Sequence, residues 1–390
     1  MTTSSELKGK KIAVIENGLI STYTMREGLM LRLLKEGCDV YILTHTNSFS
    51  PQVEKMGLKV INVGSGNYNP FRVLRYIYDL RKALKKINPD ICLTFSIRPA
   101  IWGNLITRRL KIPTITNITG VGPLFISKSF VYRTARTLYR NALSKTKKVF
   151  FQNYDDMNLF LKKKFVHEEV AERIPGSGIN YNKFSPINFK GKDPNVFIFL
   201  FIGRLIKDKG IFEYVNAARI IRKKLPNVIF NVMGPLWTQN LKRNTITQRQ
   251  LQNWIDEGVI DYLGEKKDVR KFIAEADCIV LPSYREGTSN TLLEAASMEK
   301  PAIAANTTGC REIVTDNITG FLCRLKDEKD LADKMEKMLL LTQNERLEMG
   351  QKARQKIIKE FDKQFVINAY LKAIKEALVK ETNTINRRNF

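Results

Sequence analysis

The chain has 390 residues, more than one hydrophobic core usually serves, so two domains are expected. Its apolar fraction of 43% is ordinary for a globular protein, and no run of about 18 apolar residues is present that could span a membrane. The five cysteines are an odd number without C-x-x-C spacing, which argues against a disulfide framework and favours a reducing, cytosolic compartment. Only two histidines are present, which argues against a His-rich metal site.

Positive charge is distributed unevenly along the chain. The net charge is +26, and residues 1–190 hold 31 Lys and Arg against 13 Asp and Glu. No acidic residue lies between Asp90 and Asp155. Such a field favours an anionic partner: nucleic acid, an acidic membrane surface or a pyrophosphate. A merely basic surface would have the same composition.

Apolar runs alternate with helical patterns throughout the first half of the chain. The predicted strands are residues 11–15, 39–43, 58–63, 90–95, 113–117 and 148–152. This alternation predicts a doubly wound parallel sheet, in which ligands bind beyond the carboxyl ends of the strands. Turn residues at 184–194 then interrupt the pattern and are typical of a linker.

The second half repeats the α/β alternation. Its predicted strands are residues 196–202, 228–233, 259–263, 277–281, 301–305 and 320–323, followed by helices at about 330–341 and 344–370. We therefore expect an N-terminal domain over 1–188 and a C-terminal domain over 189–365. Residues 366–390 would form a C-terminal helix, which could return to the N-terminal domain, and a polar tail.

One stretch, residues 281–296, combines a strand end, a tight turn and a helix start. Gly287 supplies the turn, and Thr288 and Ser289 are good N-cap residues. The exposed N–H groups and the helix dipole suit an anionic group such as a phosphate. Similar units occur in every α/β domain, so the local pattern alone does not decide between a site and ordinary structure.

Two carboxylates flank this turn, with seven residues between Glu286 and Glu294. The spacing resembles the E-x7-E signature of retaining family-4 glycosyltransferases, whose GT-B fold has two Rossmann-like domains facing across a cleft. The resemblance implies that Glu294 binds the nucleotide ribose and Glu286 contacts the donor sugar. It implies that the backbone between them meets the sugar and the distal phosphate, at Gly287, Thr288, Ser289, Asn290 and Thr291.

Two cations, Arg204 and Lys209, follow the first strand of the second half. An Arg fork and a Lys point charge at this spacing could clamp a diphosphate, although two solvated surface cations would give the same pattern. Gly203-Arg204 and Lys209-Gly210 resemble the G-R-x4-K-G segment of the same family. With Glu286, we therefore expect Arg204 and Lys209 to be the catalytic residues.

Further donor contacts follow from the resemblance. In the family, the loop after the first strand approaches the donor phosphates, which assigns Gly18. The turn near Tyr262 holds the nucleotide base, largely by backbone, which assigns Lys266, Asp268 and Val269; Asp268 is also expected to cap the next helix. The turn from Thr308 to Glu312 matches a supporting Gly-x-x-Glu segment.

Residues 95–104 and 116–125 follow two strand ends of the first domain. They resemble segments of the bacterial branch that adds sugars to undecaprenyl-diphosphate-linked oligosaccharides, including N-acetylgalactosaminyltransferases of O-antigen, capsule and protein-glycan assembly. The resemblance implies an acceptor site, with Arg98 on the diphosphate. Its further residues are Asn117, Thr119 and Gly120, and they include no His of the kind that touches the donor sugar in many relatives.

A basic helix is predicted between residues 127 and 148. Arg133, Arg136 and Arg140 recur at steps of three and four, so they share one face. This face would suit an anionic leaflet, while an ordinary surface helix would pack its apolar residues on the sheet. We expect both, with the apolar side packed and the arginines facing lipid.

The resemblance implies a retaining enzyme, and the residues predict neither a metal nor another cofactor. The enzyme would move a hexose or N-acetylhexosamine, with GalNAc favoured, from a UDP-sugar to an undecaprenyl-diphosphate glycan at the cytoplasmic face of the inner membrane. Arg204, Lys209 and the helix N-terminus would stabilise the leaving phosphate. The alternatives are a UDP-sugar epimerase on the same fold, or a nucleic-acid-binding protein, which the charge suggests but no recognised motif supports.

Overall fold

The chain divides into two compact units. In the computed structural model, described over residues 6–64, 69–121, 130–188, 193, 195–236 and 245–386, one unit comprises Met1–Gly178 and Lys363–Phe390, and the other comprises Ile179–Asp362. Within helices, the side chains of 130–133 and 380–386 lie outside the description. The first boundary therefore lies after Gly178 rather than after residue 188, and the chain re-enters the first unit at Lys363 rather than at residue 366.

The first unit is built on a seven-stranded sheet in which every pairing is parallel. In spatial order the strands are β3-β2-β1-β4-β5-β6-β7. Their bounds in chain order are β1 (Lys11–Ile15), β2 (Asp39–Thr44), β3 (Lys59–Asn62), β4 (Ile91–Phe95), β5 (Thr114–Ile118), β6 (Lys148–Phe151) and β7 (Ala171–Arg173). Every residue of β4 and β5 is buried, as expected for central strands covered on both faces.

Seven helices of the first half cover this sheet in the described part of the chain. They are α1 (Leu19–Thr24), α2 (Glu27–Lys35), α3 (Ser50–Lys55), α4 (Pro70–Ile87), α5 (Asn104–Arg109), α6 (Phe130–Leu143) and α7 (Tyr154–Lys162). The longest, α4, begins where the Asn69 side chain accepts a hydrogen bond from the Phe71 amide, with Pro70 in the first turn. It ends at Asn88, which adopts the left-handed conformation at φ 47°.

The second unit has a six-stranded parallel sheet in the order β10-β9-β8-β11-β12-β13. The strands are β8 (Phe197–Ile202), β9 (Val228–Met233), β10 (Asp261–Tyr262), β11 (Cys278–Leu281), β12 (Ala302–Ala305) and β13 (Gly320–Cys323). Its helices are α8 (Ile211–Arg222), α9 (Gln248–Asp256), α10 (Arg270–Glu275), α11 (Asn290–Ser297), α12 (Glu328–Leu340) and α13 (Gln343–Glu360). The predicted pair of doubly wound α/β domains is confirmed.

A separate helix, α14 (Lys363–Asn386), packs on the first unit. The sequence pattern predicted one helix over 344–370, but α13 ends at Glu360. Phe361 is buried there, and the Ile179 amide donates to its carbonyl at 2.9 Å, while Asp362 pairs with Ile179 in a parallel bridge. This pairing breaks the helix where the chain passes from one unit to the other.

Within the described ranges, no helix is both long enough and apolar enough to cross a bilayer. The same residues contain no group of three or more His, Cys, Asp or Glu side chains placed to hold a metal ion. All five cysteines are buried free thiols.

Candidate active site

The order in which the chain adds strands to the second sheet reverses between β8 and β11, although all the strands are parallel. From β8 the chain first adds β9 and β10 on one side, and β11 then lies on the other side. Crevices at such reversal points, beyond the carboxyl ends of the strands, are the usual ligand sites of parallel α/β sheets. The loops that leave β8 and β11 there are residues 203–210 and 282–289, which hold half of the predicted donor residues.

The loop after β8 is fixed against the loop after β11 by main-chain contacts. The Tyr284 amide donates to the Asp208 carbonyl at 2.8 Å, and the Ser283 hydroxyl donates to the same oxygen at 3.1 Å. Gly210 has φ +76°, and a Cβ atom there would lie 2.2 Å from the Pro282 carbonyl oxygen. Only glycine satisfies both demands, so the position of the Lys209 turn depends on Gly210.

Lys209 and Glu286 form an ion pair between these two loops. Their side chains are 19% and 12% exposed, so the pair is largely shielded from water. The structure therefore brings together two of the three residues predicted to be catalytic. Arg204, the third, is exposed on the same loop as Lys209.

A third loop, after β12, supports the Glu286 segment. The Glu286 amide donates to the Thr308 carbonyl at 3.0 Å, and the Ser289 amide donates to the Gly309 carbonyl at 3.1 Å. Gly309 has φ +80°, and a Cβ atom would lie 2.6 Å from the Glu286 carbonyl oxygen. Glu312 accepts a hydrogen bond from the Gly309 amide at 2.7 Å. The loop from Thr308 to Glu312 thus contacts the candidate site through backbone.

The N-terminus of α11 lies at the end of the Glu286 segment. Ser289 is its N-cap and is buried, and its hydroxyl accepts from the Leu292 amide. The Thr291 hydroxyl donates to the Ile202 carbonyl at 3.3 Å. Both side chains are therefore engaged within the fold, and the Ser289 carbonyl also accepts a hydrogen bond from the Leu293 amide at 3.1 Å. Gly287, Thr288 and Asn290 are half-buried.

Glu294 lies one turn further along α11 and keeps part of its surface open to solvent. Burial of its carboxyl raises the pKa of Glu294 to about 7; the charge of Lys183 lowers it and that of Asp268 raises it. A carboxyl with this pKa changes its charge near neutral pH. Lys183, which precedes β8, was missed by the sequence analysis because no motif includes it.

The predicted base-binding turn carries an ion pair. Arg270 contacts Asp268 at 2.6 Å, and this hydrogen bond lowers the pKa of Asp268 to about 2. Asp268 was expected to be the N-cap of α10, but the N-cap is Val269. Asp268 lies one residue before the N-cap, and its carboxylate accepts a hydrogen bond from the Arg270 amide. Lys266 lies over the Phe272 ring at 5.7 Å.

In the first unit, two predicted acceptor segments meet at neighbouring strand ends. Ser96, directly after β4, has φ +73°, an uncommon conformation for a residue other than glycine. The Thr119 hydroxyl donates to the Ser96 hydroxyl at 3.3 Å, and Gly120 has φ +136°. Half-buried Arg98 precedes a π-helical turn, Pro99–Gly103, a feature frequent at functional sites.

Asn117, predicted to be an acceptor residue, lies in the core of the first unit. Its side chain is only 3% exposed, and its amide donates to the Tyr370 hydroxyl of α14 at 2.8 Å. This contact makes Asn117 part of the attachment of α14, because the amide nitrogen points into the core. No local sequence signal could reveal a contact that spans 253 positions.

A buried ion pair at the end of β1 was also missed. Arg26 contacts Glu16 at 2.9 Å and lies over the Phe95 ring at 4.2 Å. Burial raises the pKa of Glu16 to about 7, although the charge of Arg26 lowers it. Nearby Gly18 has an extended backbone at φ −179°, which any residue could adopt, so its conformation does not require glycine.

The basic helix ends at Leu143 rather than near residue 148, while its predicted start at residues 127–129 lies outside the described residues. The apolar side of α6 packs: Tyr139 is fully buried and Leu138 half-buried. Arg140 is exposed and Arg136 half-buried, while the side chain of Arg133 lies outside the described residues.

Two domain families match this chain. The family described as glycosyl transferases group 1 matches residues 183–356, and the family described as glycosyl transferase 4-like matches residues 11–153. The two matches fall on the second and first units respectively. The chain is a glycosyltransferase.

Curated relatives resemble this glycosyltransferase over most of its length. An N,N'-diacetylbacillosaminyl-diphospho-undecaprenol alpha-1,3-N-acetylgalactosaminyltransferase of Campylobacter jejuni is 25% identical over 93% of this chain and 97% of the relative. A UDP-Gal:alpha-D-GlcNAc-diphosphoundecaprenol alpha-1,3-galactosyltransferase of Escherichia coli is 27% identical over 67% of this chain and 69% of the relative.

Solved structures support the GT-B fold of this glycosyltransferase. A glycosyltransferase from Rickettsia africae ESF-5 superposes with a TM-score of 0.76 at 22% identity, covering 95% of this chain and 99% of the other. Anabaena Alr3699/HepE in complex with UDP gives the same TM-score at 15% identity, covering 94% of this chain and 100% of the other.

Proposed function

We propose that this glycosyltransferase moves a hexose or N-acetylhexosamine, with GalNAc favoured, from a UDP-sugar to an undecaprenyl-diphosphate-linked glycan. The observation that carries the proposal is the convergence of Lys209, Glu286 and the α11 N-terminus at the reversal point between β8 and β11. Cationic and N–H donors at that point suit a sugar diphosphate. The acceptor class is supported by the names of the C. jejuni and E. coli relatives, both of which specify an acceptor linked to undecaprenol through a diphosphate.

The proposed donor site uses charge at the departing phosphate. Lys209, Arg204 and the α11 N-terminus neutralise negative charge as the bond between sugar and phosphate breaks. Lys209 would then exchange part of its contact with Glu286 for the diphosphate, which frees the Glu286 carboxylate for the sugar hydroxyls. Glu294, in its charged form, accepts hydrogen bonds from the ribose.

We propose a retaining reaction that gives an α-linkage. The acceptor hydroxyl attacks on the face from which UDP leaves, and the departing phosphate oxygen takes its proton. The acceptor diphosphate would be met by Arg98, with Thr119 and Gly120 alongside, in the first unit. Because the acceptor is a membrane lipid, the enzyme would work at the anionic cytoplasmic surface of the inner membrane, in the assembly of a polysaccharide such as O-antigen or capsule.

The test is a matrix of UDP-sugars against short-chain polyprenyl-diphosphate glycans. Release of UDP and transfer of labelled sugar should occur together for one donor, and NMR of the product should show an α-linkage. Activity should survive excess EDTA. Sugar isomerisation without an acceptor would identify an epimerase instead, and RNA binding without sugar-nucleotide binding would identify a nucleic-acid-binding protein.

A further inference from the structure

Helix α4 exposes three large apolar side chains on one face. Phe71, Leu74 and Tyr78 are 82%, 64% and 66% exposed. They recur at steps of three and four, so they form one short stripe along the first half of the helix. The opposite face is buried in the first unit through Tyr76, Leu80, Leu84 and Ile87. The stripe is therefore additional to the face that holds the helix on the sheet.

Basic residues continue the same face along the second half of α4. Arg81, Lys82 and Lys85 are exposed. With about 100° of rotation per residue, these three side chains lie on the same face of the helix as the apolar stripe. Exposed basic side chains also flank the stripe, at Arg72, Arg75 and Lys86. The only acidic residue within α4 is Asp79, which lies 3.7 Å from Arg75.

This combination fits an anionic bilayer better than a second copy of the chain. A symmetric dimer across α4 would place six basic side chains of one copy against the same six of the other. A helix with aromatic and aliphatic residues beside Lys and Arg instead suits a headgroup region, where apolar groups insert and cations meet phosphates. The described part of α6, residues 134–143, exposes Thr134, Thr137, Arg140 and Asn141 but no large apolar side chain.

The buried face of α4 lies close to a proposed acceptor residue. Tyr76 packs in one core cluster with Ile106 of α5, eight residues after Arg98, and the charge of Arg98 lowers the pKa of the Tyr76 hydroxyl, which burial raises. A bilayer against the outer face of α4 would thus lie across one helix from the proposed diphosphate contact.

We propose that the outer face of α4 docks on an anionic bilayer. Phe71, Leu74 and Tyr78 insert into the headgroup region, and the neighbouring Lys and Arg residues contact lipid phosphates. The proposal rests on the proposed function in one respect, that the acceptor is a membrane lipid. It assigns the contact to α4 rather than to the arginines of α6.

Sedimentation with vesicles tests this assignment directly, without donor or acceptor. The full chain should bind vesicles containing phosphatidylglycerol and bind pure phosphatidylcholine vesicles weakly. F71S/L74S/Y78S should lower the partition coefficient at least about tenfold. R81E/K82E/K85E should lower it by about 100-fold, since each basic residue contributes roughly fivefold. All six side chains are exposed, so both variants should keep the circular dichroism and melting temperature of the parent chain.

Two matched variants sharpen the result. Leu340→Ser removes an 85%-exposed leucine in the second unit and should leave binding unchanged. R136E/R140E alters the face of α6 and should have a smaller effect than either α4 variant. Unchanged binding by both α4 variants would overturn the proposal, as would a larger loss from R136E/R140E or equal binding to the two vesicle types.

Activity separates docking from catalysis. The α4 variants should transfer sugar normally to a short-chain soluble acceptor and slowly to one embedded in vesicles. Equal loss on both acceptors would overturn the docking role, because it would assign these residues to the fold or the reaction. If the parent chain used neither acceptor, the proposed function would fail, and vesicle sedimentation would still decide where the membrane contact lies.

Discussion

The two units position their candidate loops by different means. In the second unit, the three loops at the end of the sheet are joined by main-chain hydrogen bonds and by glycines that contact carbonyl oxygens, at Gly210 and Gly309. In the first unit, buried side-chain pairs are prominent at the sheet end, Glu16 with Arg26 and Asn117 with Tyr370. Main-chain hydrogen bonds between loops fix the direction of the backbone N–H groups, which suits phosphate recognition. The Asn117–Tyr370 pair instead joins α14 to the sheet of the first unit.

Removing the cations of the second-unit loops should have the largest effect. Lys209→Ala and Arg204→Ala should each lower kcat by about 10²–10³ at saturating donor, because their charge stabilises the departing phosphate. Lys207→Ala is the matched control, since Lys207 is an exposed cation in the same turn and should change kcat little. Near-normal turnover in either test variant would remove that residue from the catalytic set.

Removing the carboxylate of Glu294 on α11 should weaken the binding of UDP. Glu294→Ala should weaken UDP affinity by about 1.5–3 kcal/mol, the cost of losing hydrogen bonds to a charged group. Calorimetry with UDP measures it, and Glu348→Ala, which removes an exposed carboxylate of α13, should bind as the parent does. Equal affinities for all three proteins would leave the ribose without its proposed partner.

Glycine substitutions test how closely the loop after β8 packs against the loop after β11. Gly210→Ala introduces a Cβ atom against the Pro282 carbonyl, whereas Gly258→Ala has a similar φ of +69° but nothing within 4 Å. Both substitutions place alanine at a positive φ and so introduce similar backbone strain. The difference between their effects on stability therefore reports the steric contact with the Pro282 carbonyl. We expect Gly210→Ala to lower the free energy of unfolding by about 1–3 kcal/mol more than Gly258→Ala, by denaturant titration. A difference near zero would mean that the loop can shift.

The buried carboxyl of the first unit should make its stability depend on pH. The folded pKa of Glu16, about 7, exceeds the ordinary value of 4.5, so the folded state binds the proton more tightly than the unfolded state. Its contribution to stability is then greatest below pH 4.5 and is lost as pH rises through 7, at a slope of up to about 1.4 kcal/mol per pH unit. Glu294 in the second unit has the same sign. Denaturant titrations of the parent and Glu16→Gln across this range should differ in slope, and parallel curves would contradict the assignment.

The two units also differ in how far sequence reasoning reached. The central strands were predicted because buried parallel strands are apolar throughout, and the loops of residues 203–210 and 282–289 were found because their residues are contiguous. β7, with the sequence Ala-Glu-Arg, was missed because pairing with β6 rather than its own residue types makes it a strand. The roles of Asn117 and Arg26 were missed because each depends on a partner brought near only by folding.

The return of α14 affects the order in which the first unit can fold during synthesis. Val366, Ile367, Tyr370 and Ile374 are buried in a core shared with β1, β4 and α2. The ribosome makes these residues only after the whole of the second unit. The surface that α14 covers must therefore stay open while residues 179–362 are translated, when a nascent apolar surface is exposed to aggregation and to chaperones. A stop codon near residue 362 would leave the second unit intact in sequence and deprive the first unit of part of its core.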